Sequence, residues 1–131
     1  MWIQLLTDLT APNITSSSLS TTNANDSLVQ CDQYINLTFM SDESLDVDSV
    51  TVQFGGINAT RLDNSNGDDW SSAVLVEASK FEDGVVNISV TYADRAGNVG
   101  VDLTESGIAE SVTIGMYCAL CIYVSLCVFV W

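Results

Sequence analysis

In the stretch Gly84–Asp94, GVVNISVTYAD, the apolar residues Val86, Ile88, Val90 and Tyr92 fall at every second position, with Asn87, Ser89 and Thr91 between them. Side chains alternate between two faces only when the backbone is extended, so a period of two specifies a half-buried strand. The same pattern recurs in Tyr34–Met40, where Ile35, Leu37 and Phe39 share one face and Asn36 and Thr38 the other. It recurs again in Val50, Val52 and Phe54. Before residue 110 no comparable stretch carries the 3.6-residue period of a helix. A chain patterned this way builds sheets, and the sheets must bury one face against another.

The remaining segments fit that scheme. Ile14–Leu19 reads as an edge strand entered from a Ser/Thr/Asn-rich region that continues as a loop to Asp32. Gly55-Gly56 is a two-residue hairpin signal leading from Phe54 into a strand over Ile57–Leu62. DNSNGDD, Asp63–Asp69, is a polar turn followed by a strand from Trp70 to Ala78. Glu82-Asp83-Gly84 turns the chain into the Val86–Tyr92 strand, and Glu110–Gly115 supplies a last short one. Asp94-Arg95-Ala96-Gly97-Asn98 closes the clearest strand as a turn, because Asp accepts from amides two residues on and Gly accepts positive φ. Six or seven short strands with such spacing predict an antiparallel β-sandwich.

Charge narrows the partners. The 131 residues carry 17 acidic and three basic side chains, Arg61, Lys80 and Arg95, for a net charge of −14. Phosphate backbones are repelled by such a surface, which excludes nucleic acid as a partner. No histidine is present, which removes the commonest general base and metal ligand and the usual activator of a serine nucleophile. No catalytic residues are assigned, and the chain reads as a non-enzyme. Cys31 stands alone in the polar part, with Cys118, Cys121 and Cys127 in the apolar tail. The expectation is a free, buried Cys31 and no disulfide framework, and the Cys118-Ala-Leu-Cys121 spacing lacks the second pair a zinc site needs.

The phrases in order resemble the bacterial Ig-like repeats of large cell-surface, adhesin-type proteins. Such repeats open on Asp-x-Thr-Ala-Pro, matched by Asp8, Thr10, Ala11 and Pro12. A strand then leads to a Ser-Glu pair, here Ser41 and Glu43 with Asp42 inserted, an extra residue expected to form a bulge. Gly55-Gly56, Trp70 and the closing Asp94, Ala96, Gly97 and Asn98 complete the series. The match covers about residues 7–115. It departs at Cys31-Asp32-Gln33, where the family has a Gly-Asp turn, and after Ile114, where the family continues into another repeat. The resemblance implies an Ig-like sandwich of about seven strands that spaces or presents an adhesive tip at the cell surface. Its partners would be neighbouring Ig-like repeats and a surface protein or glycan.

The division expected is a leader over residues 1–6, the sandwich over 7–115 and a hydrophobic tail over 116–131. From Ser111 to Trp131 there is no charge. Taken as a helix over 112–131, the segment would reach about 30 Å, enough for a bilayer core, but Val112–Ile114 are also needed by the last strand, leaving about 24 Å. A membrane anchor, a truncated or misframed end and a buried extra strand all compete for it.

Calcium is the cofactor that the acidic loops suggest, since it takes six to eight oxygen ligands. Acidic residues cluster in SDESLDVD (Asp42, Glu43, Asp46, Asp48) and in DNSNGDD (Asp63, Asn64, Asn66, Asp68, Asp69). The candidate ligands are Asp63, Asp68, Asp69 and Asp94, and Asp8 could meet Asp94 or Asp102 at a junction between modules. Gly67 falls at the wrong offset from Asp63 for an EF-hand loop. This makes a calcium-dependent, cadherin-like adhesion module the second reading. A carbohydrate-binding module is the third, with Tyr34 and Trp70 as outward platforms and Phe39 and Tyr92 inward. Asn-x-Ser/Thr acceptor sequences begin at Asn13, Asn25, Asn36, Asn58 and Asn87, of which Asn36 and Asn87 are expected to face outward.

Overall fold

A computed structural model describes residues 8–115. It is an all-β sandwich. Strands β1 (Ile14–Thr21), β3 (Tyr34–Ser41), β7 (Asp69–Leu75) and β6 (Arg61–Asn64) form one antiparallel sheet in the order β1-β3-β7-β6. The second sheet runs β10 (Leu103–Thr104), β9 (Ile88–Thr91), β4 (Thr51–Phe54) and β5 (Ile57–Asn58). A small third sheet places β11 (Thr113–Ile114) between β2 (Leu28–Val29), to which it is parallel, and β8 (Gly84–Val85). Among the described residues that parallel pair is the one departure from an antiparallel fold.

The alternating residues lie where their period sends them. Ile35, Leu37, Phe39, Val50, Val52, Phe54, Val86, Ile88, Val90 and Tyr92 are all buried in a single cluster. That cluster joins the facing sides of the two larger sheets. Gly55 and Gly56 both have positive φ, +59° and +82°, and bring Phe54 opposite Ile57 in the expected hairpin.

Four expectations need correction. Ile57–Leu62 is not one strand: β5 pairs with β4, while β6 pairs with β7, so the chain changes sheets at Ala59–Thr60. Asp42 does not form a bulge. The irregularity lies across the ladder on β1, between Ile14 and Ser16, while the Asp42 carboxylate accepts from the Asn13 backbone N (2.9 Å) and Nδ2 (3.2 Å). Trp70 does not face solvent. It opposes Phe39 in the ladder, stacks on it with ring centroids 6.1 Å apart, and donates from Nε1 to the Gly67 carbonyl at 3.2 Å. The Phe39 contact is better satisfied inside, where a large ring removes the most apolar surface from water. Finally, Cys31 is buried as expected, but it is disulfide-bonded and not a free thiol.

Val112 and Ile114 are buried, with Ile114 in β11 and the Val112 carbonyl accepting from the Val86 amide at 2.9 Å. They therefore belong to the sandwich and not to a membrane span. Among the described residues no helix is long and apolar enough to cross a membrane. The leader and the tail over 116–131, with the anchor reading attached to it, lie outside the described residues.

Candidate functional site

The strand registers place the described chain's entry and exit at opposite ends. Ser41, Asp69, Ile14, Thr51 and Thr91 share one end, because β1, β3 and β7 meet there and β4 begins opposite the last residue of β9. Asp8 reaches that end through a hydrogen bond from Asn98 Nδ2 to its carbonyl (2.7 Å). Gly115 leaves from the other, donating to the Val29 carbonyl (3.0 Å) one residue beyond the Ile114–Gly84 pair.

The entry end carries the one group of acidic residues whose ligand atoms converge among the described residues. Oxygens of Asp8, Glu43 and Asp94 lie within 4.8 Å of one another. Local sequence explains each position. Asp8 Oδ1 accepts from the Thr10 amide (2.9 Å), the two-residue reach that Asp-x-Thr permits. Asp94 does the same to Ala96 and also to Asn98 (both 2.9 Å), while its Oδ2 accepts from Asn98 Nδ2 (2.9 Å). Gly97, at φ +92°, closes the turn by donating to the Asp94 carbonyl at 3.1 Å. Glu43 arrives because Leu45 bridges to Asp94 and the Asp46 amide donates to the Ala93 carbonyl at 2.9 Å.

The Asp94–Asn98 segment is thus a turn, as its sequence predicts, and its Asp is also a member of a carboxylate group. The environments of the members differ. Hydrogen bonds from the Asn98 side chain, then from backbone amides, hold the Asp94 carboxyl below the ordinary aspartate range. Glu43 is pushed up, first by burial and then by the charges of Asp8, Asp94 and Asp42. Its Oε1 is buried without a hydrogen-bond partner. Such an arrangement can hold a hard cation through oxygen ligands.

Of the ligands expected from the sequence, the structure brings Asp94 to this group, together with Asp8. It leaves the other three elsewhere. Asp63 lies in β6 beside Arg61 (3.4 Å), both exposed. Asp68 uses its carbonyl to accept from the Ser41 amide (2.8 Å), and Asp69 starts β7 opposite Met40. Sequence reasoning placed Glu43 both in the Ser-Glu phrase and in the acidic SDESLDVD cluster considered for calcium, but left it out of the four candidate ligands. Its presence in a phrase shared with Asp8 and Asp94 was the available signal.

Elsewhere the surface offers little. A depression of about 380 Å³ near the exit end is lined by Lys80, Phe81, Glu82, Asp83 and Asn87, with its charged side chains exposed. Lys80 there pairs with Glu77 at 2.7 Å. Tyr34 is exposed on β3, whereas Trp70 is not available as a glycan platform. Asn87 is exposed and Asn36 half-buried.

No protein-family model, curated protein or solved structure matches the chain.

Proposed function

We propose that the chain is a non-enzymatic, extracellular Ig-like module that serves as a spacer or adhesion repeat of a cell-surface protein. The observation that carries this reading is the placement of Asp8 and Gly115 at opposite ends of the sandwich. Modules with that geometry add end to end, so each copy lengthens the assembly. The filled core agrees, because inward side chains from both sheets leave only loops and edges for recognition. The Cys31 disulfide suits an oxidising, extracellular setting. Small-angle scattering from two full copies joined in tandem tests the reading. A spacer gives a maximum dimension close to twice that of one copy, whereas two copies folded back on each other would refute it.

The Asp8–Glu43–Asp94 group favours a second reading, a calcium-dependent adhesion module. Three carboxylates repel one another unless a cation or a proton lies between them, and the buried, unpartnered Glu43 Oε1 is an oxygen donor with nothing to bind. A bound calcium ion would supply charge neutralisation and stiffen the joint between the entry segment and the Asp94 turn. A ligand that binds only the native state raises its stability by mass action. Calcium should therefore raise Tm well beyond a magnesium control in the parent and not in Glu43→Gln. Equal shifts in both proteins, or none, would remove this reading.

A further inference from the structure

The alternation of hydrogen bonds along β1 shows which of its backbone groups face outward. Thr22 donates to the Tyr34 carbonyl at 3.1 Å, so residues of even number, Ser16, Ser18 and Ser20, exchange ladder bonds with β3. Ser17, Leu19 and Thr21 then direct their N–H and C=O groups away from the sheet. At Thr21 the strand bends into its own loop, with the hydroxyl donating to the Leu28 carbonyl (2.8 Å) and accepting from the Asn23 amide (3.1 Å). At Leu19 the outward amide donates to Glu110 Oε1 at 2.8 Å, a contact spanning 91 residues of sequence. Glu110 is itself exposed, so the carboxylate stands at the rim of the strand where a further strand would lie.

The four edges of the two larger sheets differ in what they could accept. Strands β5 and β10 have two residues each, too short to template a partner. Strand β6 carries Arg61 and Asp63 on its four residues. Strand β1 has eight residues, no proline and no charge, and it sits in an uncharged run from Leu9 to Asn25. In a chain with net charge −14, this is the one long edge of the two larger sheets whose own residues are uncharged, so that once the Glu110 carboxylate is removed two copies can meet there without setting charge against charge. A strand paired antiparallel with its own copy about a two-fold axis is self-complementary, each outward donor meeting an outward acceptor.

We infer that the β1 edge is a pairing surface for a second copy of this chain and that the Glu110 carboxylate on the Leu19 amide holds it closed. Removing the carboxylate leaves Ser17 and Leu19 as adjacent outward stations on an uncharged edge, ready for strand addition.

The test compares full-length proteins by sedimentation over a concentration series. Glu110→Ala should self-associate about tenfold more tightly than the parent, since each dimer gains backbone hydrogen bonds from both Leu19 amides. Glu110→Gln keeps an acceptor at the same reach and should behave as the parent. Adding Ser17→Pro removes an outward amide without touching the β3 ladder, so Glu110→Ala/Ser17→Pro should return to parental behaviour. Hydrogen exchange gives a local readout that general stickiness or partial unfolding does not imitate. In Glu110→Ala the Leu19 amide should exchange fast when dilute and slowly when concentrated. Glu110→Ala associating no more tightly than the parent would overturn the inference. So would association unaffected by Ser17→Pro, or a Leu19 amide whose exchange ignores concentration.

Discussion

Replacing Gly100 by alanine tests how tightly the Asp94 turn is locked to the core. Gly100 donates to the Tyr92 carbonyl at 3.0 Å, and its α-carbon lies against the Tyr92 ring and the Pro12 carbonyl. A methyl group there would overlap Tyr92 Cε2, reach 2.5 Å from Cζ and 2.8 Å from the Pro12 oxygen. The ring is packed in the core and its hydroxyl donates to the Val101 carbonyl at 2.7 Å. The Pro12 oxygen is backbone, so neither neighbour yields cheaply. Forcing a methyl into a filled site costs about 1–3 kcal/mol. Displacing the ring forfeits its hydrogen bond, about 1 kcal/mol. Gly→Ala returns about 0.5 kcal/mol by restricting the unfolded chain. The sum is a loss of about 2–3 kcal/mol, which for a domain of this size lowers Tm by about 10 °C. Urea denaturation of the full chain followed by circular dichroism measures it, with Tyr92→Leu as the second arm of a double-mutant cycle. In the leucine background the ring is gone and the cost of Gly100→Ala should fall by more than half. The same cost in both backgrounds, or a change below about 0.5 kcal/mol in the parent, would refute the steric argument.

Trp70→Phe should cost about 1–2 kcal/mol by losing the bond to the Gly67 carbonyl and part of the Phe39 stack, and Trp70→Ala about 3–5 kcal/mol, both read from urea midpoints. Acid titration separates the two buried-turn carboxyls. Asp94, held below its ordinary value, contributes stability that is present above that value and lost as pH falls through the folded one. Glu43, raised above its ordinary value, contributes stability that is present at low pH and lost as pH rises through the folded one. Tm measured across the acid range should therefore lose its low-pH decline in Asp94→Asn and its higher-pH decline in Glu43→Gln. Curves parallel to the parent would count against both assignments. Unreduced protein should show no labelling of Cys31 by a thiol reagent under denaturing conditions. Reduction should lower stability by about 2–4 kcal/mol, whereas a Cys31 that labels without reductant would contradict the disulfide.

Much of the sandwich is legible in the chain because strands β3, β4 and β9 alternate over enough residues to show their period, and because Gly55-Gly56 admits the two positive φ angles of a tight hairpin. Strands β2 and β10 are two residues long and carry no period at all. The change of sheet at Ala59–Thr60 is invisible for a different reason. Ile57, Ala59 and Leu62 all pack against the core, and an apolar pattern reports burial without saying which sheet provides it. Trp70 was misplaced because Ser72 follows it on the inward face. Ser72 is buried and satisfied by the Leu37 carbonyl at 3.0 Å, so a polar residue interrupts the inner side between Trp70 and Val74. The candidate site was half legible. The turn chemistry at Asp94 follows from its neighbours, but the meeting of Asp8, Glu43 and Asp94 comes from contacts between segments far apart in the chain.

The opposed entry and exit have a mechanical consequence. A pull between Asp8 and Gly115 acts along β1 at one end and along β11 at the other, parallel to strands whose ladders run crosswise. Each ladder then shares the tension across its bonds together and must slide as a unit, instead of opening like a zip one rung after another. With the Cys31 disulfide reduced, a tether assembled from such units would yield in abrupt steps, each one the sudden release of a whole domain's length, whereas the intact bond confines each release to the residues outside its loop.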